Sequence, residues 1–214
     1  MTPTDERELL LRRVRSAVGK HGAEAGGAAP AEGARNPLAE DERLDLFERM
    51  FLSAGGVIFR GPMEKVMSDL GEILRTEGVA ALFFPEDDAS AREIAEALVP
   101  FGPFHLTTGA EVRGGSPAVT AGFRSAEAGI AETGTVVETS AGGRTLLPGL
   151  LADVHVSLLP ASSVVERMDE ALAALAAGPP RNISFLSGPS KSADIEQTLA
   201  VGAHGPRKVI VLLV

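Results

Sequence analysis

The fold is decided by the stretch from Pro62 to Phe84, PMEKVMSDLGEILRTEGVAALFF, in which a helix pattern leads directly into a strand pattern. Between Pro62 and Glu77 the apolar residues recur every three or four positions, which predicts an amphipathic helix. Gly78 is typical of the residue that ends a helix, and the apolar run Val79 to Phe84 then predicts a buried strand.

The same alternation of helix and strand continues along the rest of the chain. Helices are predicted from Asn36-Pro37 to about Ala54, from Ser90 to Val99, and from a capping-box start at Ser163 and Glu166. Strands are predicted at Thr135 to Thr139, Val154 to Leu159, Ile183 to Leu186 and Lys208 to Val214. The segment from Phe101 to Gly122 lacks a helical period, which predicts short antiparallel strands or an active-site lid.

Near-continuous apolar strands such as Val209 to Val214 are typical of a parallel sheet that is covered on both faces. We therefore predict an α/β fold, a three-layer sandwich with a mostly parallel sheet between helices. Residues 4–20 predict a short amphipathic helix, and the Gly- and Ala-rich residues 21–35 predict a flexible linker. We expect an N-terminal helix and linker over residues 1–35, which either pack on the domain or dock a partner, and one α/β domain over residues 36–214.

The composition narrows the classes of function. The 214 residues contain no cysteine, so this chain by itself cannot form a disulfide, supply a thiolate, or bind zinc or an iron–sulfur cluster through cysteine. It contains no tryptophan or tyrosine and carries a formal charge of −9, which disfavours a nucleic-acid surface. There is no run of about 18 apolar residues, as a membrane span needs, and no apolar core of a secretory signal near the start. We expect a cytoplasmic protein.

The first candidate site is the loop Gly188-Pro189-Ser190-Lys191-Ser192, which follows a predicted strand and leads into a predicted helix. Backbone N–H groups at such a helix start, together with Lys191 and the hydroxyls of Ser190 and Ser192, can bind a carboxylate or phosphate. A Walker A nucleotide loop is not supported, because Phe185 and Ser190 stand where that motif has glycine. The alternative is an ordinary turn that Ser192 caps.

The second candidate site is Glu132-Thr133-Gly134-Thr135, at the mouth of a predicted strand, followed by Arg144. The Glu132 carboxylate can act as a base or nucleophile, with Thr133, Gly134 and Thr135 contacting the substrate. Arg144 can pair with a substrate carboxylate through two parallel hydrogen bonds. The alternatives are a solvated turn residue at Glu132 and a surface ion pair at Arg144.

The histidines give weaker indications. Asp153 and His155 lie two apart on a predicted strand and can share a face, as an acid–base pair or two metal ligands would. No third ligand follows at a readable spacing, so no metal site is predicted. His204, in a turn before the last strand, can reach the Lys191 loop. A catalytic triad of Ser190, His204 and an aspartate is not supported, because no serine stands in a G-x-S-x-G elbow. The chain also lacks the G-x-G-x-x-G signature of dinucleotide binding.

Three segments together resemble the LutC (lactate utilisation protein C) branch of the LUD-domain family: Gly129 to Thr135, Gly188 to Glu196, and Gly202 to Pro206. The resemblance covers about Val57 to Val214 and is strongest after Glu127. In the family the loop often has Arg and Thr where this chain has Lys191 and Ser192. The resemblance implies a fold similar to the sugar-phosphate isomerase and CoA-transferase (NagB/RpiA/CoA transferase-like) superfamily.

The resemblance also implies a role in oxidising L-lactate to pyruvate, beside cysteine-rich partner proteins that carry iron–sulfur clusters. We expect a subunit of a lactate utilisation system that binds a small anion at the Lys191 loop, with Glu132, Thr133 and Arg144 lining the same crevice. The cofactor, and whether the isolated chain is an enzyme, stay open. The alternative is a stand-alone isomerase or acyl/CoA transferase that uses Glu132.

Overall fold

A computed structural model of the chain describes residues 37–107, 109–113, 118–193, 199–201 and 205–214. The chain divides into two units, residues 1–37 and 38–214, and every element below belongs to the second. The predicted N-terminal helix and linker over residues 1–35 lie outside the described residues. That part of the domain assignment therefore stays a prediction.

Helices and strands alternate through the second unit. The helices are α1 (Glu40–Ser53), α2 (Met63–Thr76), α3 (Ala89–Leu98), α4 (Gly109–Arg113), α5 (Leu147–Leu151) and α6 (Met168–Ala176). The strands are β1 (Val57–Arg60), β2 (Val79–Phe83), β3 (His105–Thr107), β4 (Val119–Ser125), β5 (Ala128–Ile130), β6 (Thr135–Thr139), β7 (Val154–Leu159), β8 (Val164–Val165), β9 (Ile183–Leu186), β10 (Lys191–Ala193), β11 (Leu199–Val201) and β12 (Lys208–Leu213). None of the helices in the described ranges is both long and apolar enough to cross a membrane.

Six parallel strands form the central sheet, in the order β1-β12-β7-β4-β2-β3. The predicted parallel sheet is thus confirmed, and β12 shows its physical basis. Ile210 and Leu212 belong to the apolar cluster with α2 and α3, whereas Val209 and Val211 belong to the cluster with α1. Because both faces of this strand are buried, its sequence is apolar without alternation.

The two faces of the central sheet carry different layers. One face is covered by α2 and α3, on which Leu70, Leu74 and Leu98 are fully buried. The other face packs against α1, through Phe47 and Phe51, and against a second sheet with the order β8-β5-β6-β9. Each of these buried side chains contributes roughly 1.5–3 kcal/mol through the hydrophobic effect. The result is the predicted three-layer α/β sandwich.

Two local predictions are wrong. Within the middle segment, β3 and β4 both pair parallel to β2, so the strands there are not antiparallel. Ser163 does not begin a helix, because Val164 and Val165 form β8 beside β5 and α6 begins only at Met168. Two adjacent β-branched residues favour an extended backbone, which outweighed the capping-box spacing.

The loop at Gly188 leads into a strand and not into the predicted helix. Lys191–Ala193 forms β10, which pairs antiparallel with Leu199–Val201, β11. Serine is a weak helix former, and pairing with the apolar run of β11 satisfies the backbone groups instead. The argument that a helix N-terminus holds an anion therefore does not apply to this loop.

Candidate functional site

Polar side chains are buried where the central sheet meets the second sheet. This buried cluster consists of Arg124 on β4, Glu138 and Thr139 on β6, and His155 and Ser157 on β7, each at most 1% exposed. Strands β4 and β7 run parallel, with Arg124 opposite Ser157 in the register. Because alternate residues of a strand share a face, Arg124, His155 and Ser157 all point towards β6.

His155 and Glu138 form the centre of the buried cluster. Nε2 of His155 lies 2.7 Å from Oε1 of Glu138, and Nδ1 lies 3.1 Å from the carbonyl oxygen of Gly122. The Ser157 hydroxyl donates to the same Glu138 oxygen at 2.6 Å and lies 3.0 Å from Nε2. Nδ1 thus faces a backbone carbonyl oxygen and Nε2 faces a carboxylate oxygen, and these two contacts fix the orientation of the imidazole ring.

Arg124 is a buried cation whose hydrogen bonding is incomplete. Its Nη2 donates to the carbonyl oxygen of Thr139, and its Nε lies 3.7 Å from Oε2 of Glu138. Within the part of the chain that the structure describes, Nε and Nη1 of Arg124 have no hydrogen-bond partner. A buried donor left unsatisfied costs about 1–3 kcal/mol. These two nitrogens therefore mark a position at which an added oxygen atom would be stabilised.

Glu127 links the buried cluster to a second arginine that is nearer the surface. Its Oε1 pairs with Arg144 and lies 3.6 Å from Nη2 of Arg124, while its Oε2 accepts the N–H of Thr139 at 2.7 Å. Burial raises the pKa of the Glu127 carboxyl above its ordinary value, although Arg144, Arg124 and the Thr139 N–H each lower it. Glu127 consequently takes up a proton more readily than an exposed glutamate.

Arg144 also lines an open pocket of about 790 Å³, which we call the Arg144 pocket. Its polar lining includes Ser140, Thr145, Arg181, Asn182 and Ser184, and its apolar lining includes Leu147 and Leu150 of α5. The guanidinium of Arg144 is held in place because Nε donates to the carbonyl oxygen of Ala141 at 3.3 Å and Nη2 pairs with Glu127. The pocket therefore combines two guanidinium groups with hydroxyl and amide donors.

Helix α5 covers the buried cluster without placing a side chain on it. A Cβ added at Gly149 would lie 3.4 Å from Oε2 of Glu138 and 3.5 Å from Nε2 of His155. A Cβ added at Gly122 of β4 would lie 2.4 Å from the carbonyl oxygen of Pro148, so the helix can approach this strand only because residue 122 is glycine. Helix α5 thus lies between the Arg144 pocket, which it lines, and the buried cluster, which it covers.

The predicted site residues Glu132 to Thr135 form the turn between β5 and β6. Oε1 of Glu132 accepts the N–H of Met168 at 2.9 Å, which satisfies an otherwise unpaired group at the start of α6. Gly134 has a φ of +59°, and a Cβ there would lie 2.3 Å from the backbone nitrogen of Phe51. These contacts give Glu132 and Gly134 structural roles. Their predicted catalytic and substrate-binding roles stay predictions.

The loop from Ser187 to Ser190 lies beside this turn. The hydroxyls of Thr133 and Thr135 are 2.7 Å apart, and Thr135 is also 2.7 Å from the hydroxyl of Ser187. The N–H of Ser190 donates to the carbonyl oxygen of Pro206 at 3.0 Å. The side chains of Lys191 and Ser192, and the whole of His204, lie outside the described residues. Their anion-binding roles, with those of Gly188 and Ser190, therefore stay predictions.

Arg144 belongs to the other end of strand β6. The strand runs from Thr135 to Thr139, so its two ends lie about 13 Å apart. Arg144 follows the Thr139 end, and its partner Glu127 also accepts the Thr139 N–H. The structure therefore groups Arg144 with the buried cluster and not with Glu132.

Sequence reasoning identified His155 but paired it with the wrong neighbour. Oδ2 of Asp153 accepts the N–H of Thr120 at 2.9 Å, whereas His155 contacts Glu138. In the described ranges, no group of three or more His, Asp or Glu residues is placed to hold a metal ion.

Sequence reasoning did not identify Arg124, Glu138 and Ser157 as members of a site. The signal that could have found them was a charged residue inside an apolar strand, as in the TVVET of β6.

Comparisons with known proteins agree with the sequence resemblance. The profile of the LUD domain family matches residues 57–214. A Lactate utilization protein C of Exiguobacterium sp. (strain ATCC BAA-1283 / AT1b) is 39% identical over 99 residues, which are 44% of this chain and 43% of that protein. Another, of Geobacillus thermodenitrificans, is 42% identical over 101 residues, which are 44% of this chain and 41% of that protein. The matched stretch thus spans less than half the length of these relatives.

A solved structure shows the same fold. It is the crystal structure of a DUF162 family protein from Deinococcus radiodurans, which matches with a TM-score of 0.57 and 18% sequence identity. The match covers 83% of this chain and 99% of that chain. At this level of identity, the likeness concerns the fold alone.

Proposed function

Because this chain belongs to the LUD domain family, we propose that it serves in the utilisation of L-lactate, as a subunit that binds a small carboxylate. The relatives named Lactate utilization protein C support the lactate role. The observation that supports a carboxylate ligand is the Arg144 pocket, which Arg144 and Arg181 both line. A guanidinium is planar and always charged, and its parallel N–H groups match the two oxygens of a carboxylate.

The remaining lining of the Arg144 pocket suits the second polar group of lactate. Ser140, Thr145 and Ser184 carry hydroxyls, and Asn182 carries an amide, so the pocket has both donors and acceptors for a hydroxyl or oxo oxygen. A volume of about 790 Å³ is within the range of ligand pockets generally, and a three-carbon acid fills only a small part of it. The acid would therefore occupy one part of this open pocket.

The chain acts with partner proteins that carry the redox centres. Oxidation of L-lactate to pyruvate removes two electrons, and this sequence has no cysteine with which to hold an iron–sulfur cluster. Iron–sulfur proteins encoded beside it would supply that function. Co-expression with such cysteine-rich neighbours should yield a complex that co-purifies on a tag carried by this chain, and separate elution of every neighbour would contradict this assignment.

The test of the carboxylate site is calorimetric titration of the purified chain with L-lactate and with pyruvate. We expect Arg144→Gln to weaken binding by at least about 10-fold, because one charge-assisted hydrogen bond contributes about 1.5–3 kcal/mol. Arg60→Gln is the matched control, since Arg60 is exposed and pairs with Glu48 at 3.3 Å outside the pocket. Failure of the wild-type chain to bind either acid, or equal affinity in the two variants, would refute the proposal.

A further inference from the structure

The Arg144 pocket has room for more than one small acid. Its volume is about 790 Å³, and away from Arg144 it is lined by Arg181, Asn182 and Ser184, where strand β9 begins. Leu150 in its wall is 56% exposed, so part of the apolar lining is uncovered. Pockets of this volume ordinarily enclose ligands much larger than a three-carbon acid. A second chemical group can therefore bind beside the carboxylate.

The two arginines of the pocket differ in their partners. Arg144 pairs with Glu127, which neutralises its charge. Three side chains at the start of β9 have no hydrogen-bond or ion-pair partner within the part of the chain that the structure describes: Arg181, Asn182 and Ser184. Among these described residues, Arg181 therefore supplies the positive charge of the pocket that no carboxylate balances.

The free donors at the start of β9 outnumber the acceptor oxygens of a carboxylate. The guanidinium has five N–H donors, the Asn182 amide has two, and the Ser184 hydroxyl has one. A carboxylate offers two oxygens, whereas a phosphate group offers three and carries a charge of about −1.5 to −2 at pH 7. Asn182 and Ser184 are two positions apart, so their side chains share a face. This set of donors suits a phosphate better than a second carboxylate.

The negative charge of the whole chain does not oppose a phosphate at this place. The formal charge is −9, but none of the described residues that line the pocket is acidic. Charges separated by more than about 10 Å are largely screened at 0.1 M ionic strength. The groups that act on a ligand in the pocket are therefore the near ones, and Arg181 makes their sum positive.

From these observations we propose that the Arg144 pocket contains a second subsite, at the start of β9, for the phosphate group of an organic phosphate. Arg181, Asn182 and Ser184 hold the phosphate, and the exposed side chain of Leu150 contacts an apolar part of the same ligand. The small carboxylate stays at Arg144, so the two ligands occupy the pocket together. The inference goes beyond the proposed function, because the phosphate subsite can be tested without lactate.

The experiment is calorimetric titration of the full chain with phenyl phosphate, inorganic phosphate and phenol. We expect phenyl phosphate to bind at least about 10-fold more tightly than inorganic phosphate, because only its ring can cover Leu150. It should also bind at least about 10-fold more tightly than phenol, which lacks the anion. Equal affinities of phenyl phosphate and either of the other two compounds would overturn the inference.

The decisive variant is Arg181→Gln, which should weaken phenyl phosphate binding at least about 10-fold by removing the charged donor. The matched control is Arg49→Gln on α1, which should bind within about 2-fold of wild type. Arg49 is also exposed and without a partner among the described residues, and it lies outside the lining of the pocket. Equal phenyl phosphate affinities in the two variants would place the phosphate elsewhere and overturn the inference.

A further titration distinguishes two subsites from one. Phenyl phosphate is added to the chain saturated with L-lactate, and its affinity should stay within about 3-fold of that without L-lactate, since repulsion between the two anions is partly screened. A loss of phenyl phosphate binding under these conditions would show a single shared subsite and overturn the inference, while the proposed function would stand. If the chain binds phenyl phosphate through Arg181 but binds no L-lactate, the proposed function fails and the phosphate subsite stands.

Discussion

Replacement of Gly134 by alanine is expected to destabilise the domain strongly. This glycine has a φ of +59° in the turn between β5 and β6, and the turn packs on the backbone at the end of α1. A Cβ at this position would lie 2.3 Å from the nitrogen of Phe51 and 2.6 Å from the carbonyl carbon of Met50. Backbone atoms of a helix that packs on the core through Phe47 and Phe51 cannot move aside as the end of a flexible side chain can.

The expected magnitude has two separable parts. A left-handed backbone costs a non-glycine residue about 1–2 kcal/mol, and forcing an extra methyl group into packed atoms costs about 1–3 kcal/mol. Gly134→Ala should therefore lower the free energy of unfolding by about 2–5 kcal/mol. Gly78→Ala is the matched control, because Gly78 has a φ of +73° with no atom within 4 Å of an added Cβ and so incurs only the first cost.

The assay is urea unfolding followed by far-ultraviolet circular dichroism, since the chain has no Trp or Tyr for intrinsic fluorescence. With a urea m-value of about 3 kcal/mol/M, the midpoints of the two variants should differ by about 0.3–1 M. Equal midpoints would refute the close packing of this turn on α1. Wild-type stability combined with lost L-lactate affinity would instead make Gly134 a binding residue, as its sequence motif predicts.

Three further changes test other contacts. Asp88→Ala should cost about 2–4 kcal/mol in urea unfolding, because the buried Asp88 carboxylate accepts the N–H at the start of α3 and both the N–H and the hydroxyl of Ser125. Because burial raises the pKa of Glu127, the folded chain holds a proton that the unfolded chain releases, so the free energy of unfolding should fall as pH rises from the ordinary glutamate value to the raised one. Urea curves across that interval should lose this slope in Glu127→Gln. Glu132→Ala should cost about 1 kcal/mol by leaving the Met168 N–H unpaired, while Glu132→Gln keeps an acceptor oxygen and should unfold at nearly the wild-type urea midpoint.

The central sheet could be predicted because its strands are buried on both faces. Val209 to Leu213 is apolar at every position, and the helices on either side of the sheet show regular apolar spacing. The second sheet was harder to predict, since two of its strands, β5 and β8, have only three and two residues. Strands that short carry too few residues to show a period, and their pairing depends on contacts distant in sequence.

The buried cluster could not be assembled from the sequence for a related reason. Arg124, Glu138 and Ser157 stand on three different strands, and no spacing between them reflects their contacts across two sheets. The motif at Glu132 was easier to recognise because its residues are consecutive, yet its visible contacts are those of a turn. Arg144 was found by its residue type alone, and the structure supplies the partner, Glu127, that the sequence did not indicate.

The position of β12 in the central sheet has a consequence for how the protein is made. Among the described strands β1 has β12 as its only neighbour, and the paired residues Val57 and Ile210 stand about 150 positions apart. At a synthesis rate of about 5–20 residues per second, the ribosome needs roughly 8–30 s to deliver the partner of β1. For that time the nascent chain exposes an unpaired strand edge, and the high contact order of the pairing slows folding further. Chaperone holding during translation is therefore expected to raise the yield of this protein.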